Sequence, residues 1–325
     1  MNAKNNLIKT ILVTGGMGFI GQNLCKELIK NYKVIVIDNY SSKAIAKTFL
    51  FNVKKIKLIK CDISNEHLLN KKISALKFDA VIHAAAHFAN QNSIDNALND
   101  LKSNVLGTVN LLEICKKKNI KKFLYLSSSC VYGNNHNINI ETAKINPYET
   151  PYAISKYSAE LYVKFYNAYY NINSVIIRIF NTYGPGELSH KYRNVIPKFI
   201  ELALKNKKII ITGTGNETRD FTYITDTVSI IKKCLKKNLQ NLEIFNSCTG
   251  RTISIKELAN IIIKITKSKS SLFFTNKRNW DKVTNRKGSA YKTKKTLNIK
   301  NFTSIKKGLV NTINWYKNIK NYKIH

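Results

Sequence analysis

Apolar residues in this chain gather in short runs, and between the runs they recur every three to four positions. The first run is Ile11, Leu12 and Val13, and a second covers residues 34–37 after a glycine-rich turn and an amphipathic segment. The alternation continues, with strands predicted over residues 55–61, 80–83, 122–127 and 174–180 and helices over 100–117 and 152–170. Short, continuously apolar runs of this kind are strands buried on both faces, and the helices between them supply the cover. The pattern therefore predicts an α/β fold with a doubly wound parallel sheet. From Asn181 the regularity stops, and Gly184, Pro185 and Gly186 break the chain. Beyond them come short strands (208–212, 243–246, 272–275) and helices (195–205, 254–266 and a basic one ending near 316). No linker, repeat or low-complexity stretch separates the two regimes.

The segment 9–38, KTILVTGGMGFIGQNLCKELIKNYKVIVID, gives the sheet a chemical purpose. A strand, a glycine turn, a helix and a second strand ending on an acid make a dinucleotide site of the Rossmann type. The glycines let backbone approach a pyrophosphate, and the helix start offers unpaired N–H groups to it. Asp38 ends the second strand, where a carboxylate takes both ribose hydroxyls and repels a 2′-phosphate, so NAD is expected over NADP. Ligands of such sheets collect at the carboxyl ends of the strands. That places Gly15, Gly18, Phe19, Ile20, Gly21, Asp38, Asn39, Asp62, Ile63, Ala84, Ala85 and Ala86 around the cofactor. Asp62 reads equally well as a solvated loop acid, and His83 as a packed histidine outside the chemistry. Residues 1–180 are read as the NAD-binding domain and 181–325 as a smaller C-terminal substrate-binding domain, with a stretch of about 208–250 returning to the sheet.

Composition changes this picture little. With 54 basic and 19 acidic residues the formal charge is +35. The lysines are spread over every helix and loop beside abundant Asn and Ile, so they read as drift across the whole chain. No stripe of a specific nucleic-acid binder is visible, although a positive field favours an anionic substrate. Six widely spaced cysteines with no CxxC pair are read as small buried apolar residues, with no metal site among them. Met1 to Asn6 is polar and no membrane span is evident, so a cytoplasmic protein is expected.

A second constellation follows the sheet. Tyr152 and Lys156, in PYAISK, lie four apart at a helix start and share a face. A phenol with a free pKa of about 10 becomes a base near pH 7 only if its anion gains roughly 4 kcal/mol, which a fixed ammonium and a positive nicotinamide ring supply together. Ser128, just past a strand end, can bridge to a substrate oxygen. With these residues the chain resembles the extended short-chain dehydrogenase/reductases that act on nucleotide sugars, most closely the UDP-glucose 4-epimerase type. The resemblance runs over nearly the whole length, through TGGMGFIG with DNYSS, HAAA, NVLGTVNLLE, SSSCVYG, PYAISK, RIFNTYGPG, TGTGNETRDFTYITD and RNWD.

The resemblance implies Tyr152 as base, Lys156 as its partner and ribose ligand, Ser128 as the third member, and Asn104 near the nicotinamide. It implies that Asn181, Asn194, Arg219 and Arg278 hold the sugar and diphosphate and that Asp281 meets the nucleoside ribose. It also places Asn285 against the sugar, where a side chain smaller than tyrosine leaves room for an N-acetyl group. The function implied is inversion at carbon 4 of a UDP-hexose on tightly held NAD, in a homodimer built on the helices from Asp100 and Tyr152. Along the second helix Tyr157, Leu161, Phe165 and Tyr169 form an additional apolar stripe. Two departures stand out: Phe88 replaces a lysine found in some 4-epimerases, and Ser129 and Cys130 stand where 4,6-dehydratases carry an acidic pair. The rival readings are another nucleotide-sugar enzyme of this fold (a uronate or tyvelose-type epimerase, or a decarboxylase), a non-catalytic dinucleotide-binding regulator, and a polyanion binder resting on charge alone.

Overall fold

The computed structural model describes residues 8–42, 56–120, 122–135, 137–192, 194–239 and 241–319. The polar lead 1–6 and the first residue of the third predicted strand lie outside them. The chain opens with β1 (Thr10–Thr14), α1 (Phe19–Leu28), β2 (Lys33–Asp38), β3 (Ile56–Lys60), α2 (Glu66–Ile73) and β4 (Ala80–His83). It continues through α3 (Asn90–Asp95), α4 (Ala97–Leu101), a π-helical stretch (Lys102–Leu106), α5 (Gly107–Lys117), β5 (Lys122–Ser128), α6 (Pro151–Tyr170) and β6 (Asn173–Ile179). The second half holds β7 (Asn181–Tyr183), α7 (Val195–Leu204), β8 (Ile209–Thr212), β9 (Thr218–Tyr223), α8 (Ile224–Lys236) and β10 (Glu243–Ser247). Last come β11 (Thr252–Ser254), α9 (Ile255–Thr266), β12 (Leu272–Thr275), β13 (Asn285–Arg286), α10 (Tyr291–Leu297) and α11 (Ile305–Asn318).

Seven strands form one parallel sheet in the order β10-β6-β5-β4-β1-β2-β3, the doubly wound architecture that the periodicity predicts. Successive strand residues feed opposite faces: Ile11 and Val13 join one core, Leu12 the other. Each such side chain contributes about 1.5–3 kcal/mol on burial, so strands with no polar alternation are stable only between two helical layers. The switch point lies between β1 and β4, where the strand order reverses and a cleft opens at the carboxyl ends.

A smaller four-stranded sheet, β11-β9-β13 with β7 against β9, stands across that cleft. The piece at residues 209–212 pairs with β12 in a separate two-stranded ribbon, while β10 adds to the edge of the large sheet beside β6. A buried ion pair ties the large sheet to its covering helix. Arg178 of β6 donates from Nη2 to Glu160 Oε2 of α6 at 2.8 Å and from Nε to Oε1 at 3.0 Å. Ser127 donates to the same carboxylate, Arg178 also donates to the Tyr132 hydroxyl, and that hydroxyl donates to Asn246 of β10. Among the described residues no helix is long and apolar enough to cross a membrane.

Candidate active site

The cleft measures about 1390 Å³, larger than a drug-sized ligand requires. Its cofactor end is built by the first β-α-β unit. Gly15 has φ +68°, and a Cβ there would stand 2.5 Å from Ala85 N, so only glycine lets the β1 and β4 turns touch. A Cβ on Gly21 would run into the Gly15 carbonyl. Helix α1 starts at Gly18 with no side-chain cap, leaving its first N–H groups facing the cleft for an anion. Asp38 accepts from Met17 N at 2.9 Å and Tyr40 N at 2.7 Å, which fixes its carboxylate at the rim. Asp62 accepts from Asn39 and Ser64 and also lines the cleft, as do Ile63 and Ala84 to Ala86. Bare glycine backbone, an uncapped helix start and a fixed carboxylate fit the pyrophosphate and adenosine ribose of NAD.

Helix α6 begins where it does because Thr150 caps Ala153 N and Pro151 occupies the first turn. Tyr152 N, free in that first turn, donates to Ser93 Oγ. Tyr152 and Lys156 thus share the cleft face with Ser128, whose hydroxyl is near enough to the phenol to favour its anion. Phe88 packs edge-on against the Tyr152 ring, 5.9 Å between centroids, so the residue that replaces a lysine holds the phenol instead.

Burial sets the electrostatics of this pair. Burial pushes the Tyr152 pKa up from its ordinary value, with Cys130 and Asp100 adding to the rise and only the Ser128 hydrogen bond opposing it. Lys156 turns its ammonium to the Leu126 carbonyl at 2.6 Å and over the Tyr125 ring. Burial draws its pKa down to about 7 against the pull of Asp100 and Glu160. Burial thus acts against the ionised form of both side chains. His83 is spent structurally, bonded to Thr14 and Thr108 and kept neutral by burial.

Of the substrate-side residues, Asn181, Asn194, Arg219, Arg278 and Asp281 all line the cleft. Arg219 donates to Val283 O at 3.0 Å and pairs with Asp281 at 3.4 Å. Two expected residues do not reach it. Asn104 lies in the π-helical stretch, 1% exposed, donating to Asp100 and Ser155 and accepting from His87 N; it positions the cleft wall from behind. Asn285 is bonded to Thr218 Oγ1 at 2.6 Å on the far face of β13, because neighbouring strand residues point oppositely. Its successor Arg286, in register with Arg219, faces the cleft in its place, and Glu149 lines the same wall. Sequence reasoning missed both: Arg286 lies on a strand of two residues and Glu149 just ahead of α6, where no periodicity marks either one.

Comparison with known proteins agrees with this geometry. The model of the NAD dependent epimerase/dehydratase family matches residues 11–248. A putative UDP-glucose 4-epimerase of Methanocaldococcus jannaschii is 37% identical over 95% of this chain and 98% of its own length. A dTDP-D-glucose 4,6-dehydratase of Bos taurus is 33% identical over 98% of this chain and 92% of its own. Among solved structures, the UDP-glucose 4-epimerase of Thermotoga maritima, determined with UDP-glucose, superposes with a TM-score of 0.89 at 30% identity, covering 95% of this chain and 98% of that one. Fold, glycine cradle and a match of this extent lead to one conclusion: the chain belongs to the NAD-dependent epimerase/dehydratase family and is an enzyme of that family, with NAD as its cofactor.

Proposed function

We propose that this enzyme inverts carbon 4 of a UDP-hexose through a 4-keto sugar. The observation that carries the reading is what flanks the phenol. After Ser128 the chain presents Ser129 and Cys130, so no carboxyl group stands there to expel a hydroxyl, as dehydration requires. Glu149 lines the same cleft but is ion-paired to Arg286, and Asp100 is buried beneath, bonded to Asn104. The site is suited to taking one proton and returning it.

NAD, when bound, supplies the hydride acceptor and donor and the positive charge that favours phenolate. Tyr152 then withdraws the proton of the sugar hydroxyl, with Ser128 orienting that hydroxyl. Lys156, anchored on the Leu126 carbonyl, would bond the cofactor's ribose hydroxyls, and a phenolate beside it would favour its charged form. Arg219 and Arg278 retain the diphosphate by their planar forks while the sugar turns over. Binding strength lies on the nucleotide, which leaves the keto sugar free to present its other face.

The purified protein is expected to carry NAD(H) and to convert UDP-glucose to UDP-galactose, read by NMR, with no net NADH accumulating. Stoichiometric NADH release, a preference for NADP, or a dehydrated product would overturn the proposal. The same reading extends to assembly, as a two-fold dimer through α4, α5 and α6. Leu98, Leu161, Phe165 and Tyr169 are exposed there, Leu98 and Tyr169 by 71% and 72%, whereas Tyr157 of the expected stripe packs inward against a small core around Val131 and Phe180. Light scattering at micromolar concentration is expected to return twice the chain mass; a monomer would refute the dimer.

A further inference from the structure

Arg286 is only 7% exposed, yet its side chain lines the cleft. It donates from Nη1 to Cys130 Sγ at 3.2 Å and from Nη2 to Gly133 O at 3.4 Å, and Nη2 stands 3.5 Å from Glu149 Oε2. Two polar atoms of this pair are buried without a protein partner: Arg286 Nε, a donor, and Glu149 Oε1, an acceptor. A buried polar atom left unpaired costs roughly 1–3 kcal/mol, and both belong to residues that line one cleft, where a ligand is the partner left to supply. Arg219, the register partner of Arg286, turns instead to the 281–284 loop. Arg286 is held against Cys130, whose backbone N–H donates to Ser128 Oγ and which lies close enough to the phenol to act on it electrostatically. Its guanidinium therefore sits on the sugar side of the cleft.

We propose that Arg286 and Glu149 form a specificity pair that reads neutral hydroxyl groups of the hexose and rejects a uronate. This rests on the cleft being a nucleotide-sugar site. A hydroxyl both accepts and donates, so one hydroxyl, or two neighbours, satisfies Arg286 Nε–H and Glu149 Oε1 without breaking their ion pair. A sugar carboxylate only accepts. It would satisfy the arginine while standing against the Glu149 carboxylate, a like-charge contact in a dry site. Burial already holds the Glu149 carboxyl above its usual range, with Arg286 the main opposing influence, so a second anion is poorly tolerated there.

The test is calorimetric binding of UDP, UDP-glucose and UDP-glucuronate to the NAD-loaded protein. The unsubstituted protein is expected to favour UDP-glucose over UDP-glucuronate by at least about tenfold, the scale set by an unpaired or repelled polar group. Glu149→Gln, which keeps the shape and removes the charge, is expected to abolish that preference and leave UDP affinity unchanged. Arg286→Lys, which keeps the charge and loses the fork, is expected to weaken UDP-glucose but not UDP. No preference in the unsubstituted protein, or one that survives Glu149→Gln, overturns the assignment, as does weakening of UDP in step with UDP-glucose. A wrong reaction would show in the NMR products while leaving these binding ratios in place, so the two failures are distinguishable.

Discussion

Tyr152→Phe is expected to lower turnover by at least about a hundredfold, the usual scale for removing an acid–base group, with NAD content and thermal stability unchanged. The phenyl ring keeps its edge contact with Phe88, and the helix start keeps its Thr150 cap and the Ser93 contact to backbone. What is lost is the hydroxyl that faces Ser128. Neither Lys156, tied to Leu126, nor His83, bonded at both ring nitrogens, duplicates it. Activity within a few-fold of the unsubstituted enzyme, measured as single-turnover conversion, would move the base elsewhere. Because loss of one proton acceptor acts on the chemical step, kcat is expected to fall with little change in KM.

Glu160→Ala is expected to be the most destabilising single change of those considered, by about 3–5 kcal/mol, because it strands a guanidinium in a dry interior. Arg178 is 1% exposed and Glu160 fully buried. The carboxylate takes both guanidinium contacts and the Ser127 hydroxyl, immediately before Ser128. The midpoint of thermal unfolding should fall by roughly 5–10 °C, with activity lost earlier as the β5 end loosens. The paired change Glu160→Leu with Arg178→Met should recover most of the stability, since a buried pair often replaces well by apolar residues. An unaltered midpoint in Glu160→Ala would show that the pair is hydrated in solution.

The parts of this molecule that could be read in advance are those whose cause is local. Ile11 to Val13 is apolar on both faces because both faces are covered, and Gly15 and Gly21 are glycine because backbone occupies the space of a Cβ. Tyr152 and Lys156 share a face through helical spacing alone. The parts that escaped depend on distant partners. Strand β13 is two residues long and has no periodicity of its own; only pairing with β9 decides that Arg286, and not Asn285, faces the cleft. The resemblance implies Asn104 near the nicotinamide, but the π-helical stretch turns it to Asp100 and Ser155. Helical spacing puts Lys156 on the phenol's face, while the carbonyl that captures its ammonium belongs to β5, thirty residues back.

The placing of β10 has a consequence for how the polypeptide comes off the ribosome. β6 has its hydrogen-bonding edge open until residues 243–247 have been made and have left the exit tunnel, because among the described residues no earlier strand pairs on that side. At roughly 5–20 residues per second the interval lasts several seconds. Throughout it the apolar Val175, Ile176 and Ile177 lie in an unprotected parallel edge, the kind of template on which nascent chains of a polysome can pair with one another. The Asn246 acceptor of the Tyr132 hydroxyl is also missing until then, so completion of the seven-stranded sheet waits on a segment encoded after β7, α7, β8, β9 and α8.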